Sequence, residues 1–138
     1  MIEKVVFVPR VVAQRLRPGA GAVLISIVDE PAQLQPGWQD VLTLRFDDVD
    51  AEQEGMQLFD AAMAAQVLAF ADRHQDSQDS IELVVHCTAG QSRSAAVALF
   101  LAERFGVQCW KESRRVDWRW PNYNRLVYRV LTKVSQEG

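Results

Sequence analysis

Residues 83–94 read Leu83-Val84-Val85-His86-Cys87-Thr88-Ala89-Gly90-Gln91-Ser92-Arg93-Ser94. An apolar run ends at a cysteine, a small flexible loop follows, and an apolar segment begins. The run is short and continuous, as in a strand buried on both faces. Residues 92–105 carry Ala95, Ala96, Val97, Leu99, Phe100 and Leu101, apolar almost all round, so they predict a buried helix with Gly106 as its stop. Strand, loop and helix in this order place the loop at a helix N-terminus. Free main-chain N–H groups and the positive end of the helix dipole collect there.

Three further apolar runs, 5–8, 23–28 and 41–46, predict strands. Pro18-Gly19, Pro36-Gly37 and the polar stretch 75–80 separate the runs. A helix is expected over roughly 54–74, where Phe59, Met63, Val67 and Phe70 share a face. A last helix is expected from near Pro121, with Leu126, Val127, Val130, Leu131 and Val134 in one stripe. The alternation predicts one α/β domain over 1–138, a mostly parallel sheet of about four strands flanked by helices. Ligands of such sheets bind at the carboxyl ends of the strands, where Cys87 lies.

Composition narrows the function. Apolar residues make up 49% of 138 and charged residues 24%, an ordinary globular balance. The formal charge of −3 disfavours bulk polyanion binding, so an anion site must be built locally. The start, Met1-Ile2-Glu3-Lys4, reads as the approach to a strand and not as a signal peptide. No membrane partner is expected, and the cytoplasm is the expected compartment. There Cys87 and Cys109 are expected to be reduced. Two histidines without clustered ligands give no reason to expect a metal.

In the loop, Gly90 lets the backbone curl and Ala89 crowds it little. The amides of Thr88, Ala89, Gly90, Gln91, Ser92 and Arg93 can then converge on an anion as a nest. The same field favours the thiolate form of Cys87, the nucleophilic form. Arg93 has the planar fork that grips two phosphate oxygens. Ser94 is expected to hydrogen-bond the sulfur, and His86 the loop backbone. Attack on phosphorus also needs a proton for the departing oxygen. Asp47, Asp48 and Asp50, just after the third apolar run, are the candidates.

The segment resembles the His-Cys-x-x-Gly-x-x-Arg-Ser signature of protein tyrosine and dual-specificity phosphatases, most of all the compact bacterial or phage-type members. Trp120-Pro121-Asn122 extends the likeness loosely. The resemblance implies a phosphotyrosine-phosphatase-like fold and metal-free hydrolysis of phosphate monoesters through a phosphocysteine. It implies a phosphorylated protein or small phosphomonoester as substrate, and Asp48, second acid of a Phe-Asp-Asp segment, as general acid. Two rival readings remain: a phosphopeptide-binding module without turnover, and a rhodanese-like sulfurtransferase. Arg114, Arg115, Trp118, Arg119 and Trp120 mix cations with aromatics, a pattern that can stack on single-stranded nucleic acid. The simpler reading is tryptophans packed under the last helix with arginines outside, so no nucleic-acid partner is expected. Arg114 or Arg115 is then available to attract a phosphorylated substrate. Cys109 reads as a buried filler and His74 as a helix C-terminal dipole partner.

Overall fold

A computed structural model describes residues 1–137. The parallel strands are β1 (Ile2–Pro9), β2 (Ala22–Ile27), β3 (Asp40–Leu44), β4 (Ile81–Cys87) and β5 (Gln108–Lys111). The helices are α1 (Arg10–Arg15), α2 (Ala61–Gln75), α3 (Arg93–Phe105) and α4 (Arg125–Glu137). A short β6 (Arg114–Val116) pairs antiparallel with β5. The sheet has six strands in the order β3-β2-β4-β1-β5-β6, against the four expected. The two extra strands are short and polar, Gln108-Cys109-Trp110-Lys111 and Arg114-Arg115-Val116, and make no apolar run.

Every residue of β2 is buried, as are all but Glu82 of β4, because helices cover both faces of the central strands. On one face Phe7, Ile25, Leu83 and Val85 meet α2, α3 and α4. On the other, Val6, Val8, Leu24 and Val84 meet Ala13 of α1. Each fully buried Val, Leu or Ile side chain contributes about 1.5–3 kcal/mol relative to exposure. β3 departs from the expected doubly buried run: it is an edge strand, its burial alternates, and Val41 is exposed.

The topology positions the site. β4 lies between β1 and β2, and the helices that follow β1 and β4 pack on opposite faces. Neighbouring chains diverging this way open a crevice at the carboxyl ends of the strands. No helix is long and apolar enough to cross a membrane among the described residues.

Two helix starts differ from expectation. α2 begins at Ala61, capped by the Asp60 carboxylate, which accepts from the Met63 N–H at 2.9 Å. The preceding residues are held as loop because Asp47 exchanges main-chain contact with Gln57 and its carboxylate accepts the Gln57 N–H at 2.7 Å. α4 begins at Arg125, where Asn124 Oδ1 accepts the Val127 N–H at 3.1 Å. α3 closes as expected, on Gly106 in the left-handed region at φ 66°.

Candidate active site

Cys87 is the last residue of β4 and is buried. Its Sγ lies 3.0 Å from Ser94 Oγ, and the Ser94 N–H donates to it at 3.4 Å. Ser94, in the first turn of α3, therefore meets the sulfur twice: its hydroxyl accepts from the thiol and its main-chain N–H donates to it.

Between them the chain curls tightly. Gly90 has φ 67°, and a Cβ there would collide with the main chain of Val8 and Pro9 at the end of β1. Only glycine avoids both penalties. Arg10 N–H donates to the Thr88 carbonyl at 3.2 Å, tying the loop to the start of α1. Ser92 leads into α3 without capping it, because its hydroxyl donates instead to Asp48 Oδ1 at 2.7 Å. Among the described residues, the N–H groups of 88 to 93 donate to no protein acceptor. The loop therefore gathers main-chain donors, the condition for an anion nest.

The Arg93 side chain is buried. Its Nη1 donates to the Phe46 carbonyl at 2.8 Å and to Asp29 Oδ1 at 3.2 Å, and its Nη2 to Thr88 Oγ1 at 3.3 Å. Guanidinium carries five N–H donors, so Nε and the second Nη2 hydrogen are still available for a bidentate partner. Asp29, just past β2, also accepts from Thr88 Oγ1 at 3.0 Å. The bond from Arg93 holds its carboxyl below the ordinary range, against opposing desolvation. Sequence reasoning missed Asp29. Its only signal was an acid directly after a buried strand, in Ile27-Val28-Asp29.

The three aspartates after β3 separate cleanly. Asp47 is tied to Gln57. Asp50 is exposed. Asp48 reaches the loop, where Oδ1 accepts from Ser92 Oγ and from Asn124 Nδ2 at 2.9 Å. Its Oδ2 has no protein partner among the described residues, and Asp48 is exposed. Asn124 is buried, and its N–H donates to the Ser92 carbonyl at 3.1 Å, so one residue braces both loops.

His86 does not meet the expectation of a bond to the loop backbone. It points to the α1 face, where Nε2 lies 2.6 Å from Ser26 Oγ on β2, while Nδ1 has no hydrogen-bond partner. Burial pushes its pKa down to about 4, with the Cys87 main chain opposing and the charges of Arg10 and Arg93 assisting. Its neutral ring braces β4 against β2. His74, in the last turn of α2, takes a specific partner, with Nε2 2.9 Å from Asp40 Oδ2. Cys109 is a buried free thiol pushed up to about 12 by burial, and Cys87 is also free. Trp120 packs edge-on against Phe7 and its Nε1–H donates to the Gln91 carbonyl at 2.9 Å; Trp118 lies against Tyr123 and Tyr128.

A groove of about 610 Å³ between α3 and the β5–β6 hairpin contains none of these loop residues. A second, about 380 Å³, runs past Asp48, Ser92, Asn122 and Asn124. The second groove borders the loop at Ser92 and carries the Asp48 carboxylate, though Cys87 and Arg93 do not line it. Comparison with protein-family models, curated proteins and solved structures finds no match to this chain.

Proposed function

We propose that the chain hydrolyses phosphate monoesters, protein phosphotyrosine foremost, through a phosphocysteine on Cys87. The observation that carries the reading is the sulfur of Cys87, which lies 3.0 Å from the Ser94 hydroxyl and accepts the Ser94 N–H, at the mouth of a loop whose own amides have no protein acceptor. In the first step the thiolate attacks phosphorus, the S–P bond forms and the P–O bond breaks. Asp48 Oδ2 gives its proton to the departing oxygen. In the second step water attacks phosphorus and Asp48 takes its proton. The S–P bond breaks, and Ser94 stabilises the thiolate as it leaves. Arg93 Nε and Nη2 hold two phosphate oxygens in both steps, with Asp29 and Phe46 fixing the guanidinium. Positioning and charge stabilisation do most of the work in phosphoryl transfer, and this site offers both.

The test is turnover of para-nitrophenyl phosphate by the wild type and by Cys87→Ser. The expected result is wild-type hydrolysis inhibited competitively by vanadate, and loss of turnover in the variant with phosphate binding retained. Near-wild-type activity of Cys87→Ser would exclude this nucleophile. Binding of phosphopeptide without turnover by the wild type would make the chain a binding module. Sulfur transfer from thiosulfate in its place would make it a sulfurtransferase.

A further inference from the structure

The β5–β6 hairpin carries cations that the reaction at Cys87 does not use. Arg114 and Arg115 are exposed, and neither has a carboxylate within ion-pair distance among the described residues. The nearby acids are engaged. Asp117 holds Arg119 at 2.8 Å, and Glu112 faces Lys111 at 3.9 Å. A groove of about 380 Å³ is lined by Arg114, Arg115, Asp117, Arg119, Trp120 and Asn122.

This groove is fixed to the loop. The Arg114 guanidinium lies 5.8 Å from the centre of the Trp120 ring, within cation–π range, and Trp120 Nε1–H is bonded to Gln91. The register places the pair. Arg114 is opposite Lys111, Lys111 opposite Phe7, and Phe7 opposite Val85, two residues before Cys87. β6 lies three strand spacings from β4, about 14 Å across the sheet. At about 3.3 Å per residue, an extended peptide covers that distance in roughly four residues.

We infer that Arg114 and Arg115, with Trp120 beside them, form a subsite for carboxylates about three to five residues from the phosphorylated residue of a peptide substrate. The inference deepens the phosphatase reading and rests on it: the substrate class is a phosphopeptide with an acidic flank. Nucleic acid is the poorer match. Trp120 already takes Phe7 edge-on, the Arg114 guanidinium and a hydrogen bond at Nε1, so little of its ring remains for a base to stack on.

The experiment measures binding to Cys87→Ser, which needs no turnover. The probes are two fluorescein-labelled phosphotyrosine peptides, one with glutamates three to five residues from the phosphotyrosine and one with glutamines there. At low ionic strength the glutamate peptide should bind about tenfold tighter, and the preference should shrink as salt screens it. Adding Arg114→Glu and Arg115→Glu should abolish the preference, and adding Arg114→Lys and Arg115→Lys should keep most of it. Equal affinity for the two peptides, or a preference that survives charge reversal, would overturn the subsite. Tighter binding of a labelled oligothymidylate than of either peptide would overturn it in favour of nucleic acid. Wild-type turnover of para-nitrophenyl phosphate is the separate arm. Its absence beside a clear glutamate preference would sink the catalytic reading and leave the flank subsite standing.

Discussion

Asp48 is joined to the loop through one oxygen only. Oδ1 takes both Ser92 and Asn124, which leaves Oδ2 as the oxygen that serves as general acid in the proposed reaction. A general acid matters in proportion to the need of the leaving group, and such groups contribute about 10²–10⁴-fold. Asp48→Ala should therefore slow hydrolysis of alkyl phosphates and phenyl phosphate by about 100-fold or more. Hydrolysis of an activated aryl phosphate should fall much less. Steady-state rates across a series of leaving groups check this, and an equal loss on all of them would assign the acid elsewhere. Asp29 plays a different part. It is half-exposed, so its ion pair with Arg93 adds little to stability. What it does is aim the guanidinium. Cys87, Arg93 and Asp48 were legible as residue types at a spacing. Asp29 was not, because a single acid after a strand has no pattern until the fold brings the strand beside β4.

The strand-loop-helix unit depends on Gly90 more than on any other position of its backbone. A side chain there must accept a left-handed φ and push into the end of β1. Gly90→Ala should lower stability by at least about 1 kcal/mol. It should also abolish turnover even where the variant still folds, because the loop amides no longer converge. Urea unfolding and a phosphatase assay on the same preparation measure the two effects. Wild-type turnover in Gly90→Ala would contradict the nest geometry. Elements with a strong apolar signature, β1, β2, β4 and α3, were legible in the chain. The hairpin β5–β6 was not, since a short polar pair at the sheet edge has neither alternation nor a run. The starts of α2 and α4 were misplaced for another reason. Asp47 and Asn124 hold the residues ahead of these helices to other parts of the molecule, and local periodicity does not register such long-range bonds.

Across the whole molecule, the parallel sheet gathers three loops, after β2, β3 and β4, at one end, and Arg93 touches all of them. The same sheet buries His86 as a neutral ring between β4 and β2. Its pKa is about 4 in the fold against an ordinary 6.5. Above pH 6.5 neither folded nor unfolded chain protonates it, and stability is full. As pH falls from 6.5 the unfolded chain takes the proton first, and stability is lost until the folded form also takes it near pH 4. The loss amounts to roughly 3 kcal/mol. Urea unfolding between pH 7 and pH 4 should show it, and His86→Gln should flatten the profile in that window. An unchanged profile in His86→Gln would place the sensitivity in other groups.

The covalent step on Cys87 is the central claim of the proposed reaction. Acid quenching of Asp48→Asn during turnover of an activated aryl phosphate, followed by peptide mass spectrometry, tests it most directly. The proposed reaction slows its second step in that variant, so phosphate is expected on the sulfur of Cys87. Turnover with no phosphorylated Cys87, or with phosphate trapped on any other residue, would contradict the account.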